Sequence, residues 1–306
     1  MATQQTGPEW LAALNDARVS TGVARIIEDR MSSDADTQHA RYLVKTHARF
    51  EMGAQMHDED PSSQFYTAAG RAAGKTGDVI PPTHSSLSDG ECIEIWLTAP
   101  FHALPMLDPE LRDAGFGRYC EAGWCAAVLN FGRGSTWSLN GKQGVDHSEH
   151  PRFTETSIAP DAEAARVVYP QPLESPGSGA IVKFARFMGG EWPNPLSACA
   201  GYSPPTGSII LVSFGRDFVP KVDAYSVTLD DRAMESCLIT ADGYRSADQT
   251  QVKAATGGLT RYAAALIVPR APLVAGKSYR VSVVSEGKSY SWSFKVDPYP
   301  FDAGGT

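Results

Sequence analysis

The sequence has no excess of positive charge. Its 306 residues include 27 Lys and Arg against 35 Asp and Glu, which gives a net charge of −8. Nucleic-acid phosphates are bound by positively charged surfaces, and no local cluster of Lys and Arg offsets the acidic balance. We therefore expect no nucleic-acid partner.

Long hydrophobic runs are also missing. No stretch approaches the roughly 18 consecutive apolar residues of a transmembrane helix, so we predict no membrane span. The first ten residues, MATQQTGPEW, lack the basic region and the apolar core of a signal peptide. Either the chain is cytoplasmic, or Met1 replaces a leader that has been removed.

Two common catalytic signatures do not occur. There is no G-x-S-x-G nucleophile elbow, and no cysteine stands in a recognisable catalytic context. The segment Ala69–Thr76, AGRAAGKT, has the spacing of a phosphate loop, but Pro81 and Pro82 follow too soon for a helix to start behind it. A phosphate loop depends on the amide groups of that helix, so we predict no nucleotide site.

Cysteine is scarce, and its spacing excludes the usual zinc motifs. The five cysteines are Cys92, Cys120, Cys125, Cys199 and Cys237, and none forms a C-x-x-C or Cys/His ligand pattern. An odd number cannot all pair. Cys120 with Cys125, and Cys199 with Cys237, are possible disulfides, and buried free thiols are the alternative.

The first part of the chain has helical spacing. The pattern runs from Trp10 to about Phe50, with a second helix expected after the capping residues Ser32-Ser33-Asp34. His39 and His47 fall on that helix, where a hydrogen-bonded structural role is the more frequent one for a histidine. Polar residues 53–90 predict a long loop, and a short helix is expected from Ser88 to Leu97.

The second part of the chain is rich in strand patterns. Cys120–Asn130 and Thr136–Leu139 predict a strand pair around Gly132-Arg133-Gly134. Beyond residue 200, alternation with period two predicts several strands and one clear hairpin, which together favour a small β-sandwich. These strands are Ile209–Ser213, Tyr225–Leu229, Ala263–Ile267, Tyr279–Val283 and Tyr290–Val296.

An ordered set of motifs in residues 9–168 resembles a known family. The set resembles the bacterial CAP domain, of the superfamily that contains cysteine-rich secretory proteins, antigen 5 and plant pathogenesis-related proteins. Its central part is Glu94-Ile95-Trp96-Leu97-Thr98-Ala99-Pro100-Phe101-His102, then Leu107-Asp108-Pro109 and Gly115-Phe116-Gly117. Upstream, in the expected order, are Gln38-His39-Ala40-Arg41-Tyr42-Leu43, His57 and Tyr66-Thr67-Ala68-Ala69-Gly70.

The resemblance implies an α+β protein of two domains. We expect a three-layer αβα CAP sandwich over residues 9–168 and an immunoglobulin-like β-sandwich over residues 199–297. Residues 169–198, rich in Pro and Gly, are expected to connect them, with tails at residues 1–8 and 298–306. The resemblance also favours a secreted or cell-envelope protein, with cytoplasmic as the alternative, and a Cys199–Cys237 disulfide.

The predicted cleft departs from the family pattern. CAP domains line a cleft with two histidines and two acidic residues, which in some members hold a divalent cation. His57 matches the first of these histidines, and the second has no counterpart among Trp124-Cys125-Ala126-Ala127. His102 matches the separate S-P-x-H position of bacterial members. The two acidic positions correspond to the Gly70-Arg71-Ala72 segment and to Ala99. We expect His57, His102, Glu94 and Arg71 to line the cleft. The candidate ligands for a divalent cation such as Zn²⁺ or Ca²⁺ are His57, His102, Asp58 and Glu59.

The degenerate cleft favours binding over catalysis. The leading hypothesis is an interaction module for a lipid, a glycan or an envelope protein, with no catalytic residues. The alternative is a hydrolase in which a metal on His57 and His102 lowers the pKa of bound water towards about 7. A third possibility is a structural role, with the CAP domain as a spacer.

Overall fold

The computed structural model describes residues 7–46, 54–84, 87–132 and 172–300. These residues form a mixed α+β fold of six α-helices and fifteen strands, which confirms the predicted α+β class. The helices are α1 Glu9–Ser20, α2 Arg30–Thr46, α3 Ala68–Thr76, α4 Asp89–Thr98, α5 Pro100–Met106 and α6 Gln249–Arg261. Short 3-10 helices cover Ala54–His57 and Pro195–Ala198.

The fifteen strands differ widely in length. They are β1 Ile27–Glu28, β2 Asp78–Thr83, β3 Asp113–Glu121, β4 Trp124–Phe131, β5 Leu173–Ser175, β6 Ile181–Val182, β7 Arg186–Phe187, β8 Thr206–Gly207, β9 Ile210–Ser213, β10 Val222–Leu229, β11 Arg232–Ala233, β12 Ser236–Ile239, β13 Ala264–Pro269, β14 Ser278–Ser285 and β15 Lys288–Val296.

The chain divides into two compact units. The described residues of the first unit fall within Met1–Asn15, Arg25–Ile93 and Pro109–Val168. Those of the second unit fall within Asp16–Ala24, Glu94–Asp108 and Tyr169–Thr306.

In the first unit, helix α2 packs on a four-stranded sheet of order β1-β3-β4-β2. Two glycines of β3 explain how closely the helix approaches. A Cβ on Gly115 would overlap Ser32, and one on Gly117 would overlap the backbone of Thr37. The buried face of α2, including Leu43, packs against Val128 and its neighbours on β4. The Gly-Phe-Gly motif therefore serves helix-on-sheet packing.

In the second unit, two sheets share one hydrophobic core, as in a β-sandwich. Their strand orders are β11-β10-β14-β15-β6 and β12-β13-β9-β5. Val281 and Val283 of β14, together with Trp292 of β15, pack with Ile210 of β9 and Ile267 of β13. In β14 the buried residues alternate with more exposed ones, which is the period-two pattern of the sequence.

Several predicted elements are confirmed and several are wrong. The five predicted strands beyond residue 200 are present, as is the helix near Ser88, observed as Asp89–Thr98. Helix α2 begins earlier than predicted, because Asp29 accepts hydrogen bonds from the amides of Met31 and Ser32 and so caps it. Helix α6 was not predicted in the β-rich half.

The predicted long loop at residues 53–90 is wrong, because it contains α3 and β2. Thr67 caps α3 by accepting a hydrogen bond from the Gly70 amide. Gly74-Lys75-Thr76 lies at the C-terminal end of α3, where helix carbonyls disfavour phosphate. The expected absence of a phosphate loop thus agrees with the position of this segment.

The predicted strand Cys120–Asn130 is observed mainly as β4, Trp124–Phe131, and its first residues contain the end of β3 and the turn between the two strands. Ala122 and Gly123 have φ of 50° and 83°, and they turn the chain from β3 into β4. The second predicted strand, Thr136–Leu139, lies outside the described residues, as does His47. The predicted connection at 169–198 contains β5, β6 and β7, which pair with β9, β15 and β8.

Two disulfides are present, Cys120–Cys125 and Cys199–Cys237, and Cys92 is a buried free thiol. Disulfides persist in oxidising environments, so the pairing indicates an extracellular or otherwise oxidising compartment. Across the four described stretches, none of the helices combines the length and the hydropathy that crossing a bilayer requires.

A buried acid in the first unit makes stability depend on pH. Asp36 of α2 is fully buried, and its Oδ1 accepts a hydrogen bond of 2.5 Å from Asn130 of β4. Its Oδ2 has no hydrogen-bond partner. Burial raises the pKa of Asp36 well above its usual value.

We predict that the native protein becomes less stable as the pH rises and that Asp36→Asn lacks this part of the pH dependence. The native carboxyl keeps its proton at pH values where the unfolded chain has lost it, so the free energy of unfolding falls with pH in that window. Within that pH window, the free energy of unfolding of Asp36→Asn relative to the native protein should increase by about 1.4 kcal/mol for each pH unit. Urea titrations between pH 4 and pH 8 measure this, with the exposed Asp34→Asn as the control. Equal slopes for native protein and Asp36→Asn would contradict the prediction.

Candidate functional site

The predicted site residues are distributed over both units. His57, Asp58, Glu59 and Arg71 belong to the first unit, whereas Glu94 and His102 belong to the second. Each residue has partners within its own unit, and these partners define what it does there.

The centre of the first group is a buried contact between His39 of α2 and Glu59. His39 Nδ1 lies 2.9 Å from Glu59 Oε1, and both side chains are 0% exposed. His39 Nε2 donates to the carbonyl oxygen of Met56 at 2.8 Å. Glu59 Oε2 accepts from the Thr67 amide at 2.9 Å. Every polar atom of the pair therefore has a partner, as buried polar groups require.

The number of protons on this pair follows from its hydrogen-bond partners. A carbonyl oxygen only accepts, so His39 Nε2 carries a proton. A second proton lies between Nδ1 and Oε1, since two atoms 2.9 Å apart must share a hydrogen. Whichever of the two atoms holds that proton, the pair has no net charge. This neutrality suits a site without contact to solvent.

The side of helix α3 that packs against this pair carries two glycines. A Cβ on Gly70 would overlap the Glu59 carboxylate, and one on Gly74 would overlap the His39 imidazole. The two glycines are four residues apart, so they lie on the same side of the helix. The glycines of AGRAAGKT therefore allow α3 to approach the His39–Glu59 pair closely.

The neighbouring side chains attach the same loop to α3. Arg71 Nε donates to Asp58 Oδ1 at 2.6 Å, and this hydrogen bond is the main reason why the pKa of Asp58 is lowered. His57 Nδ1 donates to the carbonyl oxygen of Gly74 at 2.9 Å. The sequence predicted these residues as cleft or metal side chains, and in the structure they hold the loop on the helix.

In the second unit, His102 contacts a carboxylate that the sequence analysis missed. Helix α5 begins at Pro100, and Ala99 supplies no side-chain cap. Glu191 Oε1 takes that place by accepting from the amides of Phe101 at 2.6 Å and His102 at 3.3 Å, and it lies 3.2 Å from His102 Nδ1. A distant glutamate therefore caps the helix.

Glu191 is fully enclosed by the protein. Its Oε2 is buried without a hydrogen-bond partner, and burial raises the pKa of its carboxyl, an effect that the hydrogen bond with His102 opposes. Gly189 and Gly190, both with φ of 84°, bring it into position through backbone that favours glycine. The run Gly-Gly-Glu is the local signal that could have drawn attention to this residue.

Glu94, the remaining predicted cleft residue, forms an ion pair with Lys183. Its side chain is 17% exposed, so it stands at the edge of the protein interior.

The described residues contain no cluster of three or more His, Cys, Asp or Glu side chains arranged to hold a metal ion. Of the proposed ligands, Glu59 uses both carboxylate oxygens within the protein, and Asp58 binds Arg71. A cation site on His57, His102, Asp58 and Glu59 stays a prediction.

No protein-family model matches the chain, and no curated protein sequence is significantly similar to it. The resemblance to CAP domains therefore rests on the ordered motifs quoted above.

We predict that Gly74→Ala destabilises the protein, although alanine is the better helix former. The new Cβ would overlap the His39 imidazole, and overpacking of this kind costs roughly 1–3 kcal/mol. The control is Gly257→Ala in α6, where an added Cβ meets no atom within 4 Å. That change should stabilise by about 0.5–1 kcal/mol. Chemical denaturation measures both, and equal effects of the two substitutions would contradict the account.

Proposed function

We propose that this chain is an exported CAP-domain protein with an immunoglobulin-like β-sandwich, and that it acts by binding and not by catalysis. The observation that carries the proposal is that the candidate acid and base groups form hydrogen bonds with other groups of the protein. His39 and Glu59 satisfy each other in the interior, and Asp58 and His57 secure their loop to α3. Such groups position backbone, which suits a fixed recognition surface.

Export is supported by the two disulfides, one in each unit. A disulfide that persists is typical of a protein outside the reducing cytosol. The ligand classes that fit an envelope or secreted protein are a lipid, a glycan or another envelope protein. The net charge of −8 disfavours strongly anionic polymers.

The binding hypothesis is tested by co-sedimentation of the purified chain with insoluble peptidoglycan and with phosphatidylcholine vesicles. We expect saturable binding to one of these probes, unchanged by EDTA. His57→Ala should weaken it at least fivefold, because His57 Nδ1 donates to the Gly74 carbonyl oxygen and so holds its loop on α3. The control is His84→Ala, a histidine that the cleft prediction does not include.

Two outcomes would contradict the proposal. One is co-sedimentation no greater than that of an unrelated acidic protein with either probe. The other is hydrolysis of a peptide or glycan substrate that appears on addition of Zn²⁺ and is lost in His57→Ala. That result would favour the metal-assisted hydrolase built on His57 and His102.

A further inference from the structure

The two disulfides have different surroundings. Cys199–Cys237 joins positions 38 residues apart, with Cys199 3% exposed and Cys237 half-buried. Cys120–Cys125 joins positions only five residues apart beside the turn of the β3–β4 hairpin, and Cys120 is exposed to solvent. A thiol in solution can therefore reach Cys120–Cys125 without any opening of the fold.

The β3–β4 ladder holds these two cysteines opposite each other independently of their bond. Cys120 pairs with Cys125 in the register, and their Cα atoms are 4.1 Å apart. The same ladder continues through Arg118 and Ala127 to Ala114 and Phe131. Because backbone hydrogen bonds along this ladder close the hairpin, the disulfide is not needed to bring the two strands together.

We propose that Cys120–Cys125 is a thiol-exchange site that an external dithiol opens and an external disulfide closes while the first unit stays folded. The substrate class is a small or protein-borne dithiol, such as the reductants of an oxidising compartment. Cys199–Cys237 remains oxidised under the same conditions. This inference does not rest on the proposed binding function.

The exchange is balanced between the protein and the dithiol. A thiolate of the dithiol attacks Sγ of Cys120, the more exposed residue of the pair, and Cys125 leaves as a thiolate that takes up a proton. The second thiol of the reagent then attacks the mixed disulfide and releases Cys120 as a thiol. The protein disulfide gains two electrons and two protons, and the reagent becomes a disulfide.

The reverse reaction is favoured by the same geometry. After reduction, the ladder keeps the two thiols on directly opposed residues. Closure of the bond is then intramolecular and has a high effective concentration. Re-oxidation by oxidised glutathione should therefore have a rate independent of protein concentration and leave no intermolecular dimer.

The chain contains its own reporter of unfolding in the same unit. Cys92 is 2% exposed, and burial raises the pKa of its thiol to about 12. It is unreactive while the first unit is folded. Alkylation of Cys92 therefore reports loss of structure in the unit that holds Cys120 and Cys125.

The test is timed reduction of the full chain by 1 mM dithiothreitol at pH 8 without denaturant, followed by iodoacetamide and peptide mass spectrometry. We expect Cys120 and Cys125 to become alkylated at least tenfold faster than Cys199 and Cys237. Cys92 should stay unlabelled, and circular dichroism should stay unchanged. A Cys120→Ser, Cys125→Ser variant serves as the matched control, because it should fold and leave the remaining disulfide equally slow.

Three results would overturn the proposal. The first is reduction of both disulfides at the same rate. The second is labelling of Cys92 in step with Cys120, which would show that reduction requires unfolding. The third is failure of the double serine variant to fold together with loss of circular dichroism on reduction of the native chain, which would make the bond structural.

Discussion

The buried contact between His39 and Glu59 is the constraint on which the arrangement of the first unit depends. It connects α2, which packs on the sheet, to the loop before α3, and through Thr67 it reaches the first turn of that helix. The pair fits only because Gly70 and Gly74 present no side chain towards it. A buried polar pair of this kind is costly to break, because either partner alone would be left unsatisfied.

The second unit uses a carboxylate in a similar way. Glu191 is buried and caps α5 beside His102, the residue that the resemblance would place in a cleft. In both units, therefore, acidic side chains stabilise backbone at the positions where the resemblance to CAP domains suggested ligands or catalysts. This common use of acid groups is the physical basis for proposing a binding function.

Local patterns predicted the elements whose stability is local. Alternation identified the β14–β15 hairpin, because each strand has one face in the core and one outside it. The structural role expected for His39 is confirmed, since its helical position turns it into the interior. Helix α3 was missed, because glycine is typical of loops, whereas Gly70 and Gly74 serve packing of this helix against Glu59 and His39.

Contacts between residues far apart in the sequence could not be predicted from local patterns. Glu191 is 89 positions from His102, and nothing in the sequence near either residue specifies the other. The partner of Glu59 was also beyond sequence reasoning, since His39 is 20 positions away and the intervening residues carry two further histidines. Asp58 and Glu59 were grouped as metal ligands from adjacency alone, whereas one is on the surface with Arg71 and the other is in the interior.

The most direct test of this account is a double-mutant cycle on His39→Gln and Glu59→Gln, measured as free energies of unfolding in urea. If the pair is the buried connection described above, its coupling energy should be at least about 2 kcal/mol. The exposed pair Lys221–Asp223, treated in the same way, should give less than about 1 kcal/mol. A coupling for His39 and Glu59 as small as that of the exposed pair would contradict the account.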